Sequence, residues 1–461
     1  MSCACCSIPN EPPQAAPVPQ SKTENERLTN LRKVLPPPFK IYTTTVFNPL
    51  TLDFESDITF TVDPALGLIT DVEKRKSSEI PNSLNSNDID LSGKIVLPGF
   101  VDAHTHIFLH SYDEKGNAEQ KMSESFVERI LRASNHCKTA LMAGYTTYRD
   151  LGSEGMQEAD ANFRDAVNRG IVIGPRLYVA TKVLASVTGI KTHTENTIGG
   201  TRCPVTSEEC DGEDEIRKAV RRRLGMGCDI IKFFGDYRKR TMRFPPKVPH
   251  PYISSVMFPP AVPNPDVVLY TQKEMDVLVE ESHNALCPVA AHCATNRAVK
   301  MAAEAGVDTI EHAFWCDQET LTSVKKNNCI LVPTLAISER LYGDNFKSML
   351  KKTLKAWEMD IVQACGGDTG TFNHGENIRE AELFYEAGIP IEHVLRSLTY
   401  HGWLACGDHR CGRKFGVLTK DFAADLVALD NDPRVDIKAL RNVDFVMKDG
   451  KVYKENGICI A

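Results

Sequence analysis

The sequence contains no long hydrophobic run and no excess of positive charge. None of its apolar stretches approaches the roughly 20 residues that span a membrane, and the N-terminus lacks the basic and then apolar order of a signal peptide. The net charge of -7 provides no basic surface for nucleic acid, and we interpret the basic run 217–223 as a solvated helix face. These absences predict a cytoplasmic protein without a membrane or nucleic-acid partner.

Fifteen cysteines are present, but the paired spacing of a structural zinc site is missing. Many of them lie singly in apolar patterns, as Cys228, Cys293 and Cys365 do. This pattern favours reduced thiols in the core over a disulfide framework. The clusters "CACC" at 3–6 and "CGDHRC" at 406–411 are weak candidates for metal ligands, because neither has that spacing.

The two ends of the chain have a composition different from the middle. Residues 1–37 are rich in Pro, Ser and Gln, which predicts a disordered arm. The β-like segments "FKIYTTTVF", "DITFTVD" and "GLITDVE" come after this arm, and "ADLVALD" and "VDFVMKDGKVYK" with its Asp449-Gly450 turn stand near the C-terminus. We therefore predict that residues 38–94 and 413–461 pair into one small β-sandwich domain.

Between these ends, apolar strand-like runs alternate with helical patterns such as 123–143, 213–225, 272–286 and 376–387. Eight strand segments are predicted, at 95–106, 146–151, 176–181, 229–234, 288–293, 309–312, 329–334 and 362–368. Repeated βα units of this kind predict the α/β class and a parallel (β/α)8 TIM barrel over residues 95–412. The eighth strand is the least regular of the set.

Polar side chains stand at the ends of five predicted strands. Catalytic groups of such barrels gather at the C-terminal ends of the strands, so these side chains are expected on one rim. An isolated His-x-His pair could equally be two hydrogen-bonded core histidines, but so many buried polar groups are costly unless they are satisfied. Imidazole and carboxylate are typical ligands of zinc and its neighbours. The candidates are His104, His106, Lys232, His292, His312 and Asp368.

The chain resembles the metal-dependent amidohydrolase superfamily, and within it the imidazolonepropionase-like proteins, over about residues 40–455. The resemblance is carried by "LPGFVDAHTHIF", "GYTTYRDLG", "DIIKFFGDYR", "AAHCATNRAVKMAAEAGVDTIEH", "GGDTGTFNHGENIRE" and "FAADLVALDNDP". It implies two divalent metal ions, with Zn²⁺ expected. In that pattern His104, His106 and Asp368 are ligands of one ion, and His292 and His312 are ligands of the other. Asp368 is also implied as the acid/base.

The resemblance gives Lys232 a special role as a carboxylated lysine whose carbamate bridges both ions. An ammonium cannot bind a metal, but a lysine whose pKa is lowered by burial and nearby cations can capture carbon dioxide. The alternative for Lys232 is a salt bridge at the end of its strand.

Three residues are expected to face the substrate, His193 after the third strand and Tyr237 and Arg238 after the fourth. Solvated loop positions are the alternative for them. The Pro-rich segment 244–265 is interpreted as a lid or pocket wall. Relatives that hydrolyse dipeptides or N-acyl amino acids commonly carry a histidine two residues after the fifth-strand ligand, whereas this chain has Ala294. That departure argues against a simple transfer of their specificity.

The resemblance implies a hydrolase that uses activated water to cleave a C–N bond in a small organic substrate. A non-peptide amide or a cyclic amide is expected. The alternatives are a dipeptidase, an N-acyl-amino-acid or lactam hydrolase, and a decarboxylase or other lyase on the same scaffold. A non-catalytic scaffold would not need the complete set of ligands. Assembly as a homo-oligomer is left open.

Overall fold

The computed structural model describes residues 37–76, 80, 84–187, 189, 205–237, 248–249, 252–253, 257–258 and 267–460. Contacts between residues divide the chain into the units Met1–Pro37 and Pro38–Ala461. The predicted disordered arm and most of the predicted lid lie outside the described residues. The described helices and strands all belong to the second unit.

Parallel strands form the central barrel, and each of them is a buried, mainly apolar segment of the sequence. Seven of them are Phe100–Thr105, Tyr145–Asp150, Arg176–Val179, Ile231–Phe234, Val289–Cys293, Thr309–His312 and Ile330–Val332. The first three pair in order, and the last four pair in order. The third and fourth strands meet where the amides of Asp229 and Ile230 donate to the carbonyl of Val179, at 2.8 and 3.3 Å.

The eighth position of the barrel is filled by an irregular segment around residues 362–369. The amide of Leu331 donates to the Val362 carbonyl at 2.9 Å, and that of Ala364 donates to the Leu331 carbonyl at 3.0 Å. On the other side, the amide of Ala103 donates to the Cys365 carbonyl at 2.9 Å. This segment therefore lies between the seventh and first strands and closes the barrel, as predicted.

Helices come after the strands along the chain. They are Asn117–Ser123, Phe126–Met142, Ala159–Asn168, Glu213–Gly225, Gln272–Asn284, Asn296–Ala305, Gln318–Lys326, Leu335–Tyr342, Phe346–Glu358, Arg379–Glu386, Ile391–Leu398 and Tyr400–Ala405. The helix predicted over 123–143 begins later, because Glu124 is extended and the Ser125 side chain accepts the amide of Glu128 as an N-cap. A separate short helix precedes it and reaches the rim of the barrel.

The strands of both chain ends join in one nine-stranded sheet. They are Phe39–Asn48, Asp53–Ser56, Ile58–Asp63, Leu68–Lys74, Ile89–Pro98, Leu426–Leu429, Val443–Lys448, Lys451–Glu455 and Ile458–Cys459. Strand Ile89–Pro98 pairs with Phe39–Asn48 on one side and with Leu426–Leu429 on the other. The Asp449-Gly450 turn has φ of 48° and 72°, which suits a tight hairpin. The predicted pairing of the chain ends is confirmed, while the domain boundaries stay predictions.

Short strands also occur at Val183–Ala185, Ser207–Glu209, Asp236–Tyr237, Val248–Pro249, Met257–Phe258 and Val267–Val268. The cysteines of the described segments are free thiols, most of them buried or half-buried, in line with the expected reduced core. No helix in the described part of the chain combines the length and apolar composition needed to cross a membrane.

Candidate active site

Six side chains predicted from the sequence meet at one end of the barrel. Five of them stand at or next to the C-terminal end of their strand, which is where a parallel barrel gathers functional groups, and Lys232 is the second residue of Ile231–Phe234. They line a single cavity of about 470 Å³. They are His104, His106, Lys232, His292, His312 and Asp368. The rim that the strand pattern predicted is therefore present.

The distances within this group suit metal ligation. One ligand atom each of His104, His312 and Asp368 lies within 4.8 Å of the others. The Asp368 Oδ1 atom is 3.7 Å from His104 Nε2 and 3.3 Å from His106 Nε2. The rings of His292 and His312 are 4.5 Å apart. The four imidazoles and the carboxylate thus form one continuous set of donors of the kinds that zinc prefers.

The second ring nitrogen of three histidines is held by a neighbouring oxygen. His104 Nδ1 is 2.8 Å from Glu311 Oε2, and His106 Nδ1 is 3.0 Å from the carbonyl of Gly152. His312 Nδ1 is 2.9 Å from the hydroxyl of Thr334. An Nδ1–H that donates to such an oxygen leaves Nε2 as the free lone pair. Each ring is therefore oriented for coordination before any ion binds.

Glu311 is a functional candidate that the sequence reasoning missed. Its side chain is fully buried, and its Oε1 accepts from Arg149 at 2.8 Å and from Thr309 Oγ1 at 2.5 Å. Burial alone would raise the pKa of Glu311, but the charges of Arg149 and Lys232 and the bond from His104 hold it well below the usual range. The available signal was a carboxylate in the middle of the short apolar strand "TIEH".

We predict that Glu311→Gln weakens metal binding about 10- to 100-fold, since outer partners of ligating histidines typically contribute that much. The amide keeps the shape but loses the charge that fixes the Nδ1–H tautomer of His104. Zinc affinity measured by chelator competition checks this. The matched control is Glu124→Gln, because Glu124 also accepts from a buried histidine, His110 Nε2 at 2.8 Å, away from the ligand set. Equal affinity in both variants would contradict the orienting role.

The amine of Lys232 is buried, and the described residues offer it no hydrogen-bond partner. The residue is 3% exposed, and its Nζ has no hydrogen-bond partner among the described residues. Burial lowers the pKa of Lys232 to about 8, with a further contribution from Arg149, although Glu311 and Asp368 act in the opposite direction. A buried amine without partners is costly. The salt-bridge alternative therefore has no partner in the described part of the chain.

The charge states of His104, His292 and Asp368 also suit a metal site. Burial, together with the nearby Lys232 charge, lowers the pKa of His104 to about 4 and that of His292 to about 3, which favours neutral imidazoles. Burial would raise the pKa of Asp368, but His104 and His106 outweigh it and lower the pKa to about 2. Asp368 is thus ionised at neutral pH. Burial would lower the pKa of His106, but Asp368 and Glu154 raise it to about 9, so this ring has to release a proton before its Nε2 can bind a metal.

The backbone is strained where it presents these side chains. Three residues without glycine's freedom adopt left-handed φ angles, 74° at His312, 51° at Thr334 and 62° at Asp368. Such conformations cost about 1–3 kcal/mol each and persist only where the surroundings enforce them. At Thr334 the left-handed conformation is held by Glu380, whose carboxylate accepts the amides of Leu335 and Ala336 at 3.0 and 2.7 Å. The strain places the imidazole and the carboxylate on the rim.

The remaining cavity wall is mostly apolar and aromatic. Tyr237 lies on this wall, with its ring 5.6 Å from that of His292 and 5.2 Å from that of Phe234. Its position fits the predicted contact with substrate, which stays a prediction. Ala294 also lines the cavity. The other two predicted substrate residues, His193 and Arg238, lie outside the described residues.

A parallel barrel with such a donor set on its rim is typical of hydrolases that use bound metal ions. The chain belongs to the Amidohydrolase family, whose model matches residues 95–453, and it is therefore an enzyme that hydrolyses carbon–nitrogen bonds. The sequence-based recognition of this superfamily and of its imidazolonepropionase-like subgroup is confirmed.

Individual relatives agree with this assignment. The chain is 25% identical to ochratoxinase of Aspergillus niger over 397 residues, which cover 79% of this chain and 76% of the relative. A crystal structure of a Xaa-Pro dipeptidase with bound methionine in the active site matches with a TM-score of 0.72 and 26% identity, over 90% of this chain and all of the other. The crystal structure of the Aspergillus niger ochratoxinase matches with a TM-score of 0.73 and 21% identity, over 92% and 96% of the two chains.

Proposed function

We propose that the protein is a metal-dependent hydrolase that cleaves a non-peptide amide or cyclic amide in a small organic substrate. The observation that carries this proposal is the approach of Asp368 Oδ1 to the Nε2 atoms of His104 and His106, beside a buried Lys232 whose amine has no hydrogen-bond partner among the described residues. The cavity of about 470 Å³ suits a small molecule. The cytoplasmic location and an assembly of several subunits stay predictions.

The residues present fit two divalent ions. His104 and His106 with Asp368 would hold one ion, and His292 and His312 would hold the other. The amine of Lys232, which has no partner in the described part of the chain, supports the fit, because carboxylation would give it anionic oxygen donors for a divalent ion. Bound divalent ions would polarise the substrate carbonyl and lower the pKa of a nearby water. Zinc is proposed because imidazole nitrogens dominate the donor set.

Asp368 performs the proton transfers in this proposal. As an ionised carboxylate it accepts the proton of the attacking water, and it later delivers a proton to the leaving nitrogen. His104 and His106 contact this carboxylate at 3.7 and 3.3 Å and hold it in place. The apolar walls around the rim keep competing water away from the reacting groups.

A second candidate function is hydrolysis of dipeptides or N-acyl amino acids. It is favoured by one observation, the methionine bound in the active site of the related Xaa-Pro dipeptidase structure. Ala294 speaks against taking over that specificity unchanged, since it provides only a methyl group at the cavity wall. A screen of the metal-loaded protein against amides, lactams, imidazolones and dipeptides separates the two candidates.

The first test of the proposal is metal content. Protein purified without chelator is expected to hold one to two equivalents of a divalent ion, and chelation is expected to remove both the ion and the activity, reversibly. Elemental analysis before and after dialysis against chelator, with zinc added back, measures this. Folded protein that holds no ion and gains none on addition of zinc would contradict the proposed function.

A further inference from the structure

One corner of the cavity is polar and charged, in contrast to its aromatic walls. The short helix Asn117–Ser123 directs Lys121 to this corner, where its Nζ lies 2.5 Å from Glu154 Oε2. The side chain of Asn117 donates to the same Glu154 oxygen at 3.2 Å and to the Tyr112 hydroxyl at 3.0 Å. All four side chains line the cavity, which makes this corner part of the substrate space.

The corner is close to the candidate metal ligands. Glu154 Oε1 lies 3.8 Å from His106 Nδ1, so a single carboxylate contacts both Lys121 and a ligand histidine. Lys121 is thus connected to the candidate ligand His106 through this one carboxylate, on the Nδ1 side of the ring.

Lys121 has hydrogen-bonding capacity that Glu154 does not fill. Its side chain is 8% exposed, and Glu154 is the partner that the described residues give its ammonium. An ammonium has three N–H donors, and a buried charge is stable only when its donors are satisfied. Lys121 itself lines the cavity, so a ligand there can reach its ammonium. Among the described residues that line the cavity, Lys121 and Lys232 are the two lysines, and no arginine joins them.

We propose that Lys121 is a specificity-determining residue that binds a carboxylate of the substrate. The inference rests on the proposed metal-dependent cleavage of a C–N bond and favours amides that carry a carboxylate a few bonds from that bond, a class that includes the N-acyl amino acids of the second candidate. An anionic acceptor is favoured over a neutral one, because charge-assisted hydrogen bonds are roughly twice as strong. The apolar part of such a substrate would pack against the wall that contains Phe234, Phe314 and Tyr342.

The kinetic test uses N-phenylacetylglycine and N-phenylacetylglycinamide, which differ only in the carboxylate. Lys121→Met, which keeps the length but removes the charge, is expected to lower kcat/KM for the acid about 10- to 100-fold, mainly through KM, and to leave the amide unaffected. Lys121→Arg is expected to retain most of the preference. The control is Lys115→Met, because Lys115 lies just before the helix that carries Lys121, pairs with Glu124 at 3.4 Å and does not line the cavity.

A binding test separates this inference from the proposed reaction. Calorimetry with 3-phenylpropanoate and 3-phenylpropanamide on the zinc-loaded protein is expected to show a preference for the acid that falls at least tenfold in Lys121→Met. The double variant Lys121→Met with Glu154→Gln keeps the charge balance and the fold, and is expected to lose the preference as well. Melting temperatures confirm that each variant is folded.

The outcomes are distinct. A preference for the acid that survives in Lys121→Met and in the double variant arises from the metal ions and overturns the assignment of Lys121. A Lys121-dependent preference in a protein that hydrolyses none of the amides supports the assignment and contradicts the proposed reaction. Equal binding of acid and amide by the wild type overturns the substrate class.

Discussion

Asp368→Asn is expected to reduce turnover by about 10²–10⁴, the range typical for the loss of a general acid/base. Asparagine keeps the size of the side chain and one oxygen that can bind an ion, but it cannot accept the proton of water. The carboxylate is ionised in this site, because His104 and His106 lower the pKa of Asp368 to about 2. We therefore expect normal folding, partly retained metal and a loss that appears mainly in kcat.

The measurement must be made at saturating metal, because weaker metal binding would mimic a lost base. Asp360→Asn is the matched control, since Asp360 also has a left-handed φ of 52° but carries an exposed side chain away from the ligand set. Its turnover is expected to equal that of the wild type. Turnover of Asp368→Asn within about threefold of the wild type would show that another group is the base.

Lys232→Ala is expected to lose at least one metal equivalent and most activity while the barrel stays folded. The reason is that the amine has no hydrogen-bond partner in the described residues, so its removal breaks no such bond there and deletes only the proposed carbamate bridge. The carbamate itself can be observed by ¹³C NMR after incubation with labelled bicarbonate. Wild-type protein is expected to show one carbamate signal that is absent from the variant.

Lys352 provides a control for this labelling. It is a second buried lysine whose pKa burial lowers to about 8, but its Nζ donates to the carbonyl of Ala313 at 2.5 Å. An amine already occupied in this way is expected to remain free of carbon dioxide, so the signal should persist in Lys352→Ala. Full metal content and full turnover in Lys232→Ala would show that Lys232 is not a metal ligand and would contradict the proposed carbamate.

The strand ends of the barrel were predictable from sequence because alternation in a strand fixes which side chains share a face. His104 and His106 point to the same side for this reason, and the eighth segment with Asp368 is required to close the barrel. The helix predicted over 123–143 began too early, because periodicity alone did not reveal the stop at Glu124. The sequence pattern therefore predicted the ligands better than the elements around the rim.

The partners of these ligands were not predictable in the same way. Glu311 reaches His104 across the barrel, and Lys121 meets Glu154 from a helix in another loop, so both contacts depend on tertiary packing between distant segments. The left-handed backbone at Thr334 depends on the cap provided by Glu380, which no local pattern indicates. Contacts of this kind decide orientation and specificity, and they become visible only when the chain is folded.

The sheet shared by the two chain ends affects how the protein is made. Strand Ile89–Pro98 runs through Gly99 into the first barrel strand, yet its neighbour Leu426–Leu429 is synthesised more than 300 residues later. At translation rates of about 5–20 residues per second, the edge of strand Ile89–Pro98 that pairs with Leu426–Leu429 stays unpaired for tens of seconds during synthesis. Unpaired strand edges promote aggregation. We therefore expect the yield of soluble protein to respond strongly to chaperones and to slower synthesis at low temperature.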